Sequence, residues 1–455
     1  MASAAVATVA ACGFIVSASD GRFRFGEGLM MKEIYAQDLS SAYFNTADLN
    51  DLELIKVQII NRHGARTPLT TLPNFVDTKP WECLSFDSKI TPGSEEMASF
   101  SAIFESDGVD LIGNCMKGQL TKEGAMQMKE VGKSLGDKYL ALLFGDLSKE
   151  EMVNRIYVRS SDIRSRRTEY SAMYLLMGML GDVDQYPTIH MFEETRENLY
   201  GHFKLCAKLG NIVSKKFKQV NEENDRDEVM IDIRNRLEDL FRGSEDGDNE
   251  KNNSQLPHDK GLLETNTLKR KVKDFPQWES INNALVGMIY HGHDLPPNIT
   301  KEDVAYITKR TGKIGETVFE GQEALTLTIG RFLTQLVDSM NRSARKYANQ
   351  ELDNRKLEVY LGHDTTLIPL LMTMNLYSGE WPPFASTLSV ELYANKKNRD
   401  QRFVKLVYNN NVLMMPSNTI AQDEKTGLIP FDQFVNMADN YRVNNYEEWK
   451  KICKL

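Results

Sequence analysis

The chain has 455 residues, 41% of them in the AVILMFWYC set, and a formal charge of −9 from 55 Lys+Arg against 64 Asp+Glu. That length suggests two or three domains, or one large fold with an insertion, and can bury a sizeable core. The composition excludes a disordered, fibrous or polytopic chain, and the acidic balance speaks against a nucleic-acid binder while leaving room for a local basic pocket.

In chain order, residues 4–18 (AAVATVAACGFIVSA) form an apolar run. It is shorter than the roughly 20 residues of a membrane span. It suits a signal-peptide core, with Ala18 and Ser19 near a cleavage point, although no Lys or Arg precedes Arg22. Residues 1–25 are therefore read as a leader or an N-terminal extension. A leader would send the chain to mitochondria or to a secretory or lysosomal lumen. With no second long apolar run, the body is expected to have no membrane span.

Residues 53–60 (ELIKVQII) are β-rich and predict a strand. Thr121 opens a helix with Val131, Leu135, Tyr139 and Leu143 on one face. The segments 155–158 (RIYV), 356–361 (KLEVYL), 387–393 (TLSVELY) and 402–408 (RFVKLVY) read as further strands. The apolar stretch 170–180 predicts a helix closed by Gly181, and Leu325, Ile329, Phe332, Leu336 and Met340 stripe another across 322–347. The charged stretch 210–242 reads as a surface-lying helix, and 243–260 as a solvated loop. Strands alternating with helices predict an α/β fold, a Rossmann-like mixed sheet flanked by helices. The expected catalytic core spans 50–190 and 346–455, with 191–345 a mainly helical cap inserted between its halves. Five cysteines, Cys12, Cys83, Cys115, Cys206 and Cys453, are too sparse for a disulfide scaffold, and their pairing stays open.

Chemistry concentrates where strands end. The strand ending at Asn61 runs into Arg62-His63-Gly64-Ala65-Arg66-Thr67-Pro68. The fixed letters of R-H-G-x-R-x-P would arise by chance in about one chain in ten thousand at average composition. In open α/β sheets ligands bind beyond the carboxyl ends of strands. Two guanidiniums in one turn repel unless an anion sits between them, and the planar fork of Arg matches phosphate oxygens. The strand at 155–158 runs into Arg159-Ser160-Ser161, and that at 356–361 into Gly362-His363-Asp364-Thr365-Thr366. If the three strands are neighbours, His63, His363, Asp364, Arg62, Arg66 and Arg159 converge. Such a pocket would hold a phosphate dianion without a metal, let one imidazole attack phosphorus, and let the carboxylic acid protonate the leaving oxygen.

These residues resemble the histidine phosphatase superfamily in its acid-phosphatase branch. Its hallmark RHGxRxP reads RHGARTP at 62–68, its HD pair is His363-Asp364, its LTxxGxxQ start runs from Leu120 to Gln127, and its middle Arg-Ser-Thr stretch resembles VRSSD at 158–162. The segments 118–128, 368–393 and 431–441 are most similar to the family's lysophosphatidic acid phosphatases. The resemblance implies that His63 is the nucleophile, Asp364 the general acid, and Arg62, Arg66, Arg159 and His363 the phosphate clamp, with no cofactor and a small phosphate monoester, a lysophospholipid, as partner. One departure matters. The spacing after the third Arg is longer here by two residues, and Arg159, Arg164, Arg166 and Arg167 compete for its place. Its position directly after the strand favours Arg159, Arg167 then resembles the family's second Arg in this stretch, and Arg164 and Arg166 read as solvated charges.

Blander readings stand beside these. Asp364 or Thr365 alone would be a helix cap, and Arg159 an ordinary ion pair. His291-Gly-His293-Asp294 has no third ligand placed for a metal, and the family's HNLP turn accounts for His293 and Pro296. The alternative functions are a broad acid phosphatase, a phytase-like inositol-polyphosphate phosphatase, or a mutase. A polyphosphate pocket would add Lys and Arg from the cap. A lipid pocket would add Leu, Phe, Trp and Met, as Trp381-Pro-Pro-Phe384 does.

Overall fold

The computed structural model describes residues 51–75, 77–84, 86–90, 98–102, 111–161, 166–242, 275–416 and 420–454. The N-terminal apolar run, Arg164 and the polar stretch 243–260 lie outside the described residues. Strand β1 (Leu52–Arg62) is followed by a hairpin of β2 (Phe86–Ile90) and β3 (Ala98–Ala102). Then come α1 (Lys122–Phe144), α2 (Lys149–Val153), β4 (Ile156–Ser160), α3 (Arg167–Leu180), β5 (Ile189–His190) and a 3-10 turn at Glu194–Arg196. The middle of the chain is helical: α4 (Ala207–Asn224), α5 (Glu228–Arg242), α6 (Trp278–Tyr290), α7 (Lys301–Phe319) and α8 (Gln322–Ala348). Strand β6 (Leu357–Gly362), α9 (Asp364–Thr373), β7 (Thr387–Asn395), β8 (Arg402–Tyr408), β9 (Asn411–Val412), β10 (Ile429–Pro430), α10 (Phe431–Asp439) and α11 (Tyr446–Cys453) complete it.

The sheet runs β10-β8-β7-β1-β6-β4-β5, with β9 on the edge of β8. Strands β1, β6, β4 and β5 are parallel, and β7 turns the other side antiparallel. The expected mixed α/β sheet is what forms. Strand β1 is buried from Leu54 to Arg62 because both its faces are covered. Val57 and Ile59 pack with Val131, Leu135, Leu175 and Leu176 of α1 and α3. Ile55 and Ile60 pack with Ile329, Phe332 and Leu336 of α8 on the opposite face. A buried polar network pins α8 there: Glu358 accepts from Gln58 (2.8 Å), Ser339 (2.6 Å) and Tyr360 (3.0 Å), and pairs with Lys56 at 3.2 Å.

Helices α4 to α7 gather a separate apolar cluster around Ile233, Leu237, Trp278, Leu285 and Ile307, which Trp81 joins. The stretch 210–242 is helical as expected, in two helices that meet at Asp225–Asp227, where the Asp227 carboxylate accepts from Met230 N at 3.0 Å and starts α5. The apolar stripe of α8 is spent on the sheet, so the sheet's own helical layer begins inside the range expected for the cap. Two disulfides occur, Cys83–Cys115 and Cys206–Cys453, and the second ties α11 to the start of α4 across 247 residues. No helix of the described residues is long and apolar enough to cross a membrane.

Candidate active site

Three parallel strands set the site by ending at one level. Arg62 stands opposite Gly362 in the β1–β6 register, and Ser160 opposite Leu361 in the β4–β6 register. The chain leaving β1 is held on both sides, with His63 N donating to Gly362 O (3.1 Å) and Ala385 N to His63 O (3.0 Å). It then docks on the start of α1. A Cβ on Gly64 would lie 2.3 Å from Gly124 O, and one on Gly124 would lie 2.0 Å from Ala65 O, so the two backbones touch where neither side chain exists. Thr121 caps α1 by accepting from Gly124 N (3.0 Å), and its own N–H donates to Ala65 O (3.1 Å). Ala65 N donates to Gln127 at 3.1 Å. Thr, Gly and Gln of L-T-x-x-G-x-x-Q thus form the seat of the R-H-G turn.

The His63 ring is buried, and its Nδ1 lies 2.8 Å from Gly64 O. A carbonyl can only accept, so the proton of the neutral ring sits on Nδ1 and Nε2 keeps its lone pair. Burial, then Arg167, Arg62 and Arg66, push the imidazole well below its ordinary value. The rings of His63 and His363 meet edge-on at 5.4 Å. Thr168 donates to Ser161 O (2.9 Å), Ser161 Oγ lies 3.3 Å from Thr168 Oγ1, and His363 Nε2 lies 3.0 Å from Ser161 Oγ. Read from the carbonyl backwards, the hydroxyls place the His363 proton on Nε2. Burial and Arg167 push this ring down as well.

Asp364 opens α9. Its Oδ2 pairs with Arg62 Nη2 (2.9 Å) and accepts from Trp381 Nε1 (3.1 Å), while Oδ1 accepts from Thr365 N (2.8 Å). Burial alone would raise this carboxyl, but Arg62, His363 and Arg66 outweigh it and hold it below the usual range. Arg62 also bonds Pro382 O and lies 4.4 Å over the Phe384 ring. Arg66 donates to Thr67 O (2.9 Å) and Asn283 (3.0 Å). Arg167, the first residue of α3, lies half-buried beside them and is lowered to about 10, through desolvation first and then Arg62, against the pull of Asp364. Among the described residues three guanidiniums thus face a single carboxylate, and Nε of both Arg62 and Arg66 is buried with no acceptor among them. A dianion would relieve that repulsion.

The structure therefore brings together Arg62, His63, Arg66, His363 and Asp364, and it does not bring Arg159. The Arg159 side chain is fully buried away from the group, paired with Glu197, donating to Gln335 (2.9 Å) and lying 3.9 Å over Phe192. The third guanidinium is Arg167. Strand β4 does end in line with the others, but Arg159 on it is turned to Glu197, and Arg167 stands at the start of α3. A helix starting at Arg167 was the available signal, since helix N-termini face anions. Exposed Arg166 pairs with Glu169 as a solvated charge would. His291 and His293 pack on Trp81 at 4.8 and 4.1 Å, with His293 against Asp77 (3.4 Å) and His291 against Thr121 (2.9 Å), and burial lowers His291 to about 4. Sequence reasoning did not mark Asn283, Tyr200, whose ring meets His363 at 5.7 Å, or the reach of Trp381 to Asp364.

Residues 53–409 match the histidine phosphatase superfamily (branch 2). The chain belongs to that superfamily. It is 26% identical to the lysophosphatidic acid phosphatase type 6 of Bos taurus over 90% of this chain and 88% of the relative. It is 25% identical to the prostatic acid phosphatase of Mus musculus over 85% of this chain and 86% of the relative. Among solved structures, Hafnia alvei phytase in complex with myo-inositol hexakis sulphate has a TM-score of 0.56 at 12% identity, covering 89% of this chain and 99% of that one. The Bifidobacterium longum multiple inositol polyphosphate phosphatase also gives 0.56, at 11% identity over 90% and 96%. These two likenesses show the fold. The protein is a histidine acid phosphatase, a phosphoric monoester hydrolase.

Proposed function

We propose that the protein hydrolyses lysophosphatidic acid to monoacylglycerol and phosphate through a phosphohistidine, with His63 as nucleophile and Asp364 as proton donor. The observation that carries the mechanism is an unprotonated Nε2 on His63 inside a ring of Arg62, Arg66 and Arg167. The guanidiniums hold the phosphate, and His363 joins them by turning its Nε2–H from Ser161 Oγ to a phosphate oxygen. Nε2 attacks phosphorus, the bond from phosphorus to the glycerol oxygen breaks, and Asp364 gives its proton to that oxygen. Water then attacks the phosphohistidine, Asp364 takes back a proton, and phosphate leaves. A bound phosphate offsets the charge of the arginines that hold Asp364 low, so the carboxyl keeps its proton more readily in the complex. His63 stays neutral in mild acid because its own value is depressed. Both effects favour an acid optimum, and a rate maximum above neutrality would oppose this reading.

The lipid substrate is supported by what surrounds the phosphate pocket. Phe384 lies under Arg62 and Arg66, Tyr290 packs on Phe384 at 5.7 Å, and Tyr200 packs on His363. Leu69, next to Arg66 in the loop, is 47% exposed. These groups suit an acyl-glycerol better than further phosphates. The name of the bovine relative points the same way. A phytase-like activity is the second reading, favoured by the fold likeness. Two disulfides fit an oxidising secretory or lysosomal lumen better than a reducing compartment.

The test measures phosphate release in EDTA from oleoyl-lysophosphatidic acid, para-nitrophenyl phosphate and phytate, with His63→Ala as control. Turnover of the lipid, little of phytate and a dead variant are expected. Turnover of the generic ester or phytate alone removes the lipid assignment. A His63→Ala variant as active as wild type removes the mechanism.

A further inference from the structure

The proton donor is braced from a direction the mechanism above does not use. Asp364 Oδ2 accepts two N–H groups, from Arg62 Nη2 at 2.9 Å and Trp381 Nε1 at 3.1 Å, whereas Oδ1 accepts one, from Thr365 N at 2.8 Å. An oxygen already accepting two donors has no lone pair left to carry a proton without losing one of them. The indole is in turn held by the helical layer. Tyr377 donates to Gly312 O of α7 at 3.0 Å. A Cβ on Gly312 would lie 2.2 Å from Gly379 O, and one on Gly315 would lie 3.5 Å from Trp381 Cζ3. Gly312 and Gly315 lie on one face of α7 and form a shelf on which the 377–381 loop rests.

We infer that Trp381 is a positioning residue for the proton donor, pinning Oδ2 of Asp364 so that Oδ1 carries the transferred proton, and that the Gly312–Gly315 shelf of α7 holds the indole in place. The inference rests on the assignment of Asp364 as the acid. Arg62, Arg66, Arg167 and His363 face the carboxyl, and Tyr377 lies within its field together with Glu316 of α7, Tyr408 and Glu380. Of the two side chains that contact Asp364 Oδ2, Arg62 and Trp381, the indole can be removed without changing the charge of the site or its phosphate contacts. Its N–H stabilises the carboxylate over the acid, so removing it makes Asp364 a weaker acid.

The experiment compares wild type and Trp381→Phe on glycerol 2-phosphate, whose alkoxide needs a proton, and on para-nitrophenyl phosphate, whose leaving group does not. The high-pH limb of kcat for glycerol 2-phosphate should move up by about one pH unit in Trp381→Phe, with a smaller movement for the nitrophenyl ester. A uniform fall in kcat with the limb unmoved overturns the inference, since lost packing alone would do that. A second measurement is free of turnover. The chain has 4 Trp, so the indole N–H resonance missing from 15N-labelled Trp381→Phe identifies Trp381. That signal should titrate in wild type and stay flat in Asp364→Asn, and a flat signal in both overturns the contact. If wild type releases no phosphate from either ester, the acid assignment fails, while the titration still reports on the indole and the carboxylate.

Discussion

Arg159 and Arg167 separate a residue that looks functional from one that is placed to be. Arg159 is buried and Arg167 half-buried near the same strand ends, but Arg159 spends its charge on Glu197, whose Oε1 also accepts from Asn198 N (2.7 Å) and Leu199 N (2.8 Å). Removing one partner of such a pair strands the other in a dry interior, at about 3–5 kcal/mol. Arg159→Met should therefore lower the denaturation midpoint strongly. The molecules that remain folded, counted by phosphohistidine stoichiometry, should turn over normally. Arg167→Ala should show the reverse. Its kcat/KM should fall about a hundredfold to a thousandfold, as loss of one electrostatic donor does in other enzymes, with a modest change in melting temperature. Steady-state kinetics beside thermal melts decides between the two, and an inactive, stable Arg159→Met would return the third clamp position to Arg159.

Elements with strong periodicity were legible in the sequence. Strands β1, β4, β6, β7 and β8 and helices α1, α3 and α8 fall where alternation or a stripe put them. The two-residue strands β5, β9 and β10 exist only through their partners, and no local pattern announces them. The site was legible as far as it lies in contiguous motifs. Trp381 reaching Asp364 and Asn283 reaching Arg66 depend on loops and helices from elsewhere in the chain, which spacing does not reveal. The glycine contact between the R-H-G turn and α1 is testable at this scale. Gly124→Ala places a methyl against backbone that cannot rotate away, so it should cost about 1–3 kcal/mol and lower kcat by shifting His63. Thr121→Ala removes the cap and the hydroxyl's contacts with Ala65 O and His291 but adds no clash, so it should cost about 1–2 kcal/mol and leave KM nearly unchanged. If Gly124→Ala keeps wild-type kcat, the docking of the turn on α1 does not set the nucleophile.

The whole molecule carries two further expectations. The Cys206–Cys453 bridge closes a loop of 247 residues around most of the helical layer, so Cys453→Ser should lower stability by about 2–5 kcal/mol, read by denaturant titration. Acid should destabilise the unliganded fold. His63, His363 and His291 are depressed in the folded state, His291 to about 4. Below about 6.5 the unfolded chain binds protons that the folded one refuses, so stability is full above that pH and declines as pH falls toward 4. Inorganic phosphate at 100 times its Kd should restore about 2.7 kcal/mol, and melts across pH with and without phosphate check both. A last consequence concerns synthesis. The central strand β1 leaves the ribosome first among the described strands, yet Val57 pairs with Leu357 on one side and with Glu391 on the other. At about 5–20 residues per second, its partners emerge roughly 15–60 s after it does. For that time a strand destined for the middle of the sheet has no edge to join, and a chaperone would shield it.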